Sequence, residues 1–270
     1  MLDQFSLVTY SKPMIGFLIK KTFFDLWDNL FRIALVNLGF VLSAAIPILL
    51  PTVLADIPLL ALAVIILGTF WCVLYLVATA LSVKSISDYG SFGFTDFFAN
   101  LKGGIPTAIL LSLAALFWLL LAYVALPFYA KLGTMVGLFA ASLVFWTLVI
   151  ILMAFQYILP ICARLDKKTG KILKKSFILF FDNPGFSLFV FLHNTVIFAL
   201  SLFLAFLAPG PAGILLFLDE ALRLRLLKYD WLEAHPDANR RHIPWEELLA
   251  EDREKTGTRS FRSFIFPWKD

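Results

Sequence analysis

Charged residues are scarce in this chain, and their scarcity excludes most soluble folds. Only 16% of its 270 residues are Asp, Glu, Lys or Arg, whereas roughly a quarter of a soluble domain is charged. Apolar residues make up 60%, and the mean hydropathy is +0.86. A globular core cannot absorb that much apolar surface, so the bilayer must. The composition therefore predicts an integral membrane protein.

Residues that carry chemistry are also rare. The two Cys lie too far from any of the three His for a zinc pattern and show no sign of a secreted disulfide framework. The chain has no His-Glu-x-x-His, no Gly-x-Ser-x-Gly and no glycine-rich dinucleotide motif. Its Thr-Gly-Lys at 169–171 lacks the upstream glycine of a phosphate loop. We therefore expect no enzyme activity, no metal site and no cofactor.

Five long apolar stretches predict transmembrane helices. They are residues 33–55, 57–83, 105–130, 132–163 and 188–208. Each reaches the roughly 20 residues that are needed to cross a bilayer. A sixth segment, 213–234, has a shorter apolar run that is interrupted by Asp219 and Glu220. Hydropathy alone would not make it a span.

Lysine and arginine are confined almost entirely to alternate connections. The connection near Asp56 and the turn at 209–211 have none, and the connection between the third and fourth stretches has only Lys131. Because positive charge near a span resists translocation, the basic connections should lie in the cytoplasm. Five crossings would leave the basic residues at 223–228 outside. The pattern therefore predicts an all-α polytopic bundle of five clear spans plus a short or re-entrant sixth helix, with both termini cytoplasmic.

Two amphipathic segments predict helices at the membrane surface. Residues 20–32 and 93–104 repeat aromatic side chains at helical spacing opposite polar ones. The first belongs to a predicted transmembrane domain over 1–230, which leaves a cytoplasmic tail over 231–270.

The tail contains a predicted short helix at 244–255, because Pro244 is followed by Glu246 and Glu247. Its ending at 258–270 is basic and aromatic. That ending either folds back onto the bilayer surface or is disordered.

The most basic stretch follows the fourth span, where cations are expected among anionic lipid headgroups. The candidate lipid contacts are Arg164, Lys167, Lys168, Lys171, Lys174 and Lys175. The alternative is that these residues set topology and anchor the chain without a specific ligand. Nucleic acid is not an expected partner, since the basic residues lie beside spans.

Small residues recur every four positions on the fourth span, at Gly133, Gly137 and Ala141. Such a stripe lets another helix approach closely. It serves packing within the chain, or else contact with a membrane-protein partner or a second copy in a homodimer.

Polar groups inside the apolar stretches are the candidates for function, because they are costly in hydrocarbon. The candidate polar site comprises Asn37, Gln156, His193, Asn194, Asp219 and Glu220. One hypothesis pairs His193 with Asp219 or Glu220 as a titratable couple. In the alternative, His193 and Asn194 satisfy local groups, and Glu220 pairs with Arg223 or Arg225.

Three stretches resemble the YesL-like family of bacterial membrane proteins, whose members have no assigned biochemical activity. They are LVNLGFVLSAAIPIL with Asn37 and Pro47, GFTDFFANLKGG, and FQYILPICARLDKKTGKILKKSFILFFDNP. The chain departs from the family where Phe40 or Val41 replaces a Trp that is often found after the Asn. The resemblance implies a bacterial cytoplasmic (inner) membrane location. It also implies an accessory role in transport, because such proteins are often encoded near carbohydrate uptake systems.

Two functions follow from these patterns. The first is a non-enzymatic membrane protein that assists or assembles with a membrane complex such as a solute uptake system. The second is a small secondary transporter or channel with a polar path among spans one, four, five and six. A transporter requires a water-accessible cavity that reaches Asn37, Gln156 and His193, whereas an accessory protein has those groups paired in a closed bundle.

Overall fold

The computed structural model of the chain describes residues 3–240, 242–257 and 259, with side chains from residue 14 onward. All regular secondary structure in that part is helical, and the remaining residues lie in turns, bends and irregular connections. The helices in chain order are α1 Asp3–Asp28, α2 Leu30–Val53, α3 Pro58–Ser87, α4 Phe94–Leu120, α5 Leu126–Lys131, α6 Met135–Phe155, α7 Ile158–Arg164, α8 Thr169–Asp182, α9 Pro184–Phe203, α10 Gly210–Ala234, α11 Trp245–Leu248 and α12 Ala250–Thr256. A π-helical segment, Leu121–Ala125, joins α4 to α5.

Five stretches of helix are long and apolar enough to cross a membrane. They are α2, α3, α4 with α5, α6 with α7, and α9. Large apolar side chains cover their outer faces, among them the exposed Leu59, Val136 and Phe203. An apolar surface of this extent is unfavourable in water and favourable in lipid. The predicted all-α polytopic membrane protein is thus confirmed.

Helix α10 forms the centre of the bundle. Every residue from Leu215 to Leu222 is buried, because α1, α2, α3, α7 and α9 all pack against this helix. The helix is continuous over 25 residues and so is longer than hydropathy indicated. Its turn with α9 contacts Asn37, in the first third of α2. The α9–α10 hairpin therefore ends well before the tip of the α2–α3 hairpin, and whether α10 crosses the bilayer stays a prediction.

The segment 20–32 does not form a separate surface helix. It includes the end of α1, a break at Asn29 and the start of α2. Its polar residues Lys21 and Asp25 face the protein and are buried, while Trp27 and Phe31 are exposed. Lys21 and Asp25 are buried because they meet the charged part of α10, whereas the polar residues Asp28 and Arg32 of the same segment are exposed.

The predicted surface helix at 93–104 is continuous with the third span in α4. Gly104 lets α4 pack closely against α3, since a Cβ there would lie 2.8 Å from Cγ1 of Val77. Phe97 is buried with its ring centroid 4.9 Å from that of Tyr75. The amphipathic segment therefore packs on α3 and forms the first part of the same helix as the third span.

The fourth span is divided into α6 and α7 by a break at Gln156 and Tyr157. Pro160 explains the break, because it has no N–H to donate to the carbonyl of Gln156. The small-residue stripe is interrupted as well. Gly133 lies in the turn before α6 with φ of +63°, and a Cβ on Gly137 would lie 2.9 Å from the Tyr129 carbonyl oxygen. These glycines thus serve the α5–α6 hairpin within the chain, and homodimer contact stays a prediction.

The tail is attached to the bundle by two short helices, α11 and α12, in place of the single predicted helix at 244–255. Trp245 and Leu249 are buried in the same apolar core as Leu18 of α1. The predicted ending at 258–270 lies outside the described residues except for Arg259.

Candidate functional site

Two adjacent carboxylates of α10, Asp219 and Glu220, are enclosed by the surrounding helices and are 1% and 2% exposed. Burying one ionised carboxylate without a partner is very costly. The structure supplies each with a different cation from a different helix, and together these groups form a polar layer at one end of the bundle. We define the polar layer as Lys21, Thr22, Asp25, Ser87, Asp88, Tyr89, Arg164, Asp219, Glu220 and Arg223.

Lys21 of α1 holds one half of this layer. Its ammonium donates to Asp25 Oδ2 at 2.5 Å and to Glu220 Oε1 at 3.0 Å. It also donates to the Ser87 carbonyl at the end of α3, at 3.0 Å. The second Glu220 oxygen accepts from Thr22 Oγ1 at 3.2 Å. All three ammonium donors are therefore used, and one lysine joins α1, α3 and α10.

Arg164 holds the other half. Its Nε and Nη2 donate to the two Asp219 oxygens at 2.9 and 2.5 Å, a bidentate geometry. Its remaining donors contact Asp88 Oδ1 at 2.9 Å and Ser87 Oγ at 2.8 Å. The Arg164 side chain is only 9% exposed. The prediction that Arg164 contacts anionic lipid headgroups is therefore wrong.

Tyr89 connects the polar layer to the tail. Its ring lies 4.3 Å from the Lys21 ammonium, and its hydroxyl donates to Asp252 Oδ1 of α12 at 3.0 Å. Arg223 donates to the same oxygen at 2.6 Å. Burial raises the pKa of the Tyr89 hydroxyl, which keeps it a donor. Its backbone is in the left-handed region, with φ of 61°, a conformation that must be held by such contacts.

A further ion pair on α10 lies outside the polar layer. Arg225 pairs with Asp182 at the end of α8, and the Tyr229 hydroxyl donates to the same carboxylate at 2.8 Å. Burial alone would raise the pKa of Asp182. The Tyr229 hydrogen bond and the charges of Arg225 and Lys228 outweigh it and lower that pKa. The carboxylate that joins α8 to α10 is thus ionised in neutral solution.

Asn37 lies apart from these charges and fixes the α9–α10 turn. Its Nδ2 donates to the carbonyls of Leu207 and Pro209 at 3.0 and 2.8 Å, and its Oδ1 accepts from the Ala212 N–H at 2.9 Å. Gly210 allows the approach, since any Cβ there would lie 2.4 Å from Asn37 Nδ2. The amide is fully buried and all its contacts are to backbone. Its role is therefore to satisfy the backbone of a turn inside the bundle.

Replacing Asn37 by Leu would leave the Leu207 carbonyl and the Ala212 N–H without partners, whereas the Pro209 carbonyl would keep the Gly213 N–H at 3.0 Å. Each unsatisfied buried group costs about 1–3 kcal/mol, so we expect a loss of at least ~2 kcal/mol in the free energy of unfolding. Thr52→Val on the exposed face of the same helix is the matched control and should change little. Thermal unfolding in detergent measures both variants, and equal midpoints would contradict this role.

Gln156 and His193 do not join the charged residues. Gln156 Nε2 donates to the Ser187 carbonyl at 3.1 Å. The His193 ring stacks on Phe217, with centroids 3.7 Å apart. Three buried atoms here have no partner in the described part of the chain, namely Gln156 Oε1, His193 Nδ1 and Asn194 Oδ1.

The proposed His193 couple is therefore wrong, because Asp219 binds Arg164 and Glu220 binds Lys21. The alternative pairing of Glu220 with Arg223 or Arg225 is wrong for the same reason. The candidate polar residues form three separate groups rather than one path. Lys21 was missed as a site residue, although its spacing of four from Asp25 on an otherwise apolar helix face was a usable signal.

The chemistry available at these sites is ion pairing and hydrogen bonding. Among the described residues there is no group of three or more metal-ligating side chains. A polar cleft of about 290 Å³ lies beside Tyr89, and it is lined partly by Asp25, Asp28, Lys255 and Arg259. Opposite charges offset one another there, as in the pair between Arg259 and Asp28.

Comparison of the chain with protein-family models, with curated proteins and with solved structures finds no match. Inferences about its function therefore depend on the geometry described above.

Proposed function

We propose that this integral membrane protein has no catalysis of its own and assembles with a membrane complex, such as a solute uptake system, as an accessory subunit. The observation that carries the proposal is that three of the six candidate polar residues, Asn37, Asp219 and Glu220, have all their partners inside the protein. Asn37 is hydrogen-bonded to the backbone of the α9–α10 turn. Asp219 pairs with Arg164 and Glu220 pairs with Lys21, and both cations are buried or nearly so. The resemblance to the YesL-like family points in the same direction.

We further propose that both termini lie in the cytoplasm, and the resemblance to the YesL-like family implies a bacterial cytoplasmic membrane. Lys20 of α1 donates to the Gly257 carbonyl at 3.2 Å, so the N-terminal helix and the tail meet at one end of the bundle. That end also holds the polar layer and the basic α8. A cationic end on the cytoplasmic side agrees with the usual charge distribution of membrane proteins.

A transporter or channel is the second candidate, favoured by the partnerless atoms of His193, Asn194 and Gln156. Buried polar atoms of this kind can line a path for a solute or for water. They lie on α9 and at the α6–α7 break, away from the charged residues of α10.

The test is purification of the full chain from its native membrane under mild crosslinking, followed by mass spectrometry of proteins and small molecules. We expect a membrane transport subunit in stoichiometric amount, and an unrelated polytopic protein with the same tag serves as the control. The His193→Phe variant should recover the same partner, because a phenyl ring can stack on Phe217 as the imidazole does. A retained solute that is lost in His193→Phe would contradict the accessory role and support a transporter.

A further inference from the structure

Helix α8 presents an exposed stripe that changes character halfway along its length. Lys171, Lys174, Ile178 and Phe181 follow one another at spacings of three and four, so they lie on one helix face. All four are exposed, Ile178 by 53% and Phe181 by 63%. The stripe is cationic in its first half and apolar in its second.

The opposite face of α8 fixes this orientation. Ile172, Ser176 and Leu179 are buried, and Ile172 and Leu179 pack in an apolar cluster with Tyr157 and Leu222. The helix cannot turn its lysines inward without exposing that cluster. The stripe is therefore a fixed outer surface of the protein.

The cationic half carries charge that the protein does not neutralise. Lys167 and Lys168 are exposed just before the helix, and neither they nor Lys174 form an ion pair with any described residue. Asp166 offsets part of the charge, with its Oδ2 at 3.7 Å from Lys171 and 3.5 Å from Lys175. The only acidic residue of α8, Asp182, is engaged with Arg225 of α10.

The position of α8 relative to the bilayer follows from its connections. It is joined through Asn183 to α9, which is apolar and long enough to span. The exposed Ile178 and Phe181 are next to that junction, where burial in acyl chains is favourable. The lysines are two to three turns further from it, at a depth where lipid phosphates lie.

We propose that the stripe of α8, with Lys167, Lys168, Lys171 and Lys174 at its cationic end, is a binding surface for anionic phospholipid headgroups. Ile178 and Phe181 insert beside the acyl chains of the same lipids. Compared with the predicted lipid contacts, this set omits Arg164, which is buried, and Lys175, which is half-buried and pairs with Asp166. The proposal holds whatever partner the protein has, since it does not use the proposed function.

The test compares the full-length wild-type protein with a variant that carries Lys167→Gln, Lys168→Gln, Lys171→Gln and Lys174→Gln. Each protein is purified in mild detergent with a mixture of phosphatidylglycerol and phosphatidylcholine, and the retained lipids are quantified by mass spectrometry. A lysine near an anionic surface is worth roughly a factor of five in binding. We therefore expect the ratio of retained phosphatidylglycerol to phosphatidylcholine to fall by about tenfold or more.

Two matched variants make the result specific. The same four positions changed to Arg keep the charge and should keep the ratio. Gln at four exposed cations outside α8, namely Lys102, Lys131, Arg240 and Arg253, should leave it unchanged. Thermal unfolding of every variant confirms folding. In wild type and in both matched variants, which keep the charge of α8, phosphatidylglycerol should raise the unfolding midpoint more than phosphatidylcholine does.

An unchanged lipid ratio in the α8 variant would overturn the proposal, as would an equal fall in the control variant. Loss of a co-purifying acidic protein, with lipid retention intact, would assign the surface to a protein partner and also overturn it. If the α8 variant does not fold, equal effects of the two lipids on the wild-type midpoint would overturn it.

Discussion

Lys21→Met is expected to lower the free energy of unfolding by about 3–5 kcal/mol, the usual cost of removing one partner from a buried ion pair. Without the ammonium, Glu220 and Asp25 face each other with no cation between them, and the Ser87 carbonyl loses its donor. Lys21 is 1% exposed, so water cannot replace it. The loss should appear in detergent-based thermal unfolding and in titration with a denaturing detergent.

A double-mutant cycle separates the ion pair from general damage to packing. Glu220→Gln removes the carboxylate that Lys21 neutralises, so adding it to Lys21→Met should cost less than the sum of the two single changes. Lys102→Met, at an exposed lysine of α4, is the control and should stay within about 0.5 kcal/mol of wild type. Strict additivity in the cycle would show that Lys21 and Glu220 do not interact.

The architecture of this protein could be predicted from sequence because its main signal is local. Apolar stretches of span length and the distribution of Lys and Arg are read over a few tens of residues. The structure agrees with both signals, since it has five apolar helices of span length and a cluster of charged residues at one end of the bundle. One boundary that the sequence did not predict also has a local cause, since Pro160 divides the fourth span into two helices.

The charged contacts could not be predicted in the same way, because they are distant in sequence. Asp219 and Glu220 were recognised as unusual, but the cation that serves Glu220 is 199 positions away. The nearer bases Arg223 and Arg225 were more obvious partners. They point to other sides of α10, toward Asp252 and Asp182. Lys21 and Arg164 pair with Glu220 and Asp219 because α1 and α7 pack against α10.

Arg164 gives the other large expected effect, since Arg164→Met leaves Asp219 buried without a counter-charge. We expect a loss of about 3–5 kcal/mol in the free energy of unfolding, measured as for Lys21. Arg164→Lys keeps the charge but cannot reproduce the fork that binds both Asp219 oxygens and reaches Asp88 and Ser87. It should therefore recover only part of the loss, and Arg164→Met combined with Asp219→Asn should recover part as well.

This prediction also separates two interpretations of the same basic stretch. If Arg164 were a lipid contact, Arg164→Gln would behave like Lys174→Gln, with unchanged stability and weaker retention of anionic lipid. The structure requires the opposite, because the guanidinium is 9% exposed and bonded to three residues, whereas Lys174 is exposed. Arg164→Gln should thus destabilise the fold, and Lys174→Gln should leave the unfolding midpoint unchanged. The two residues are ten positions apart in one basic segment, and a difference in stability between their variants would match the burial of Arg164 and the exposure of Lys174.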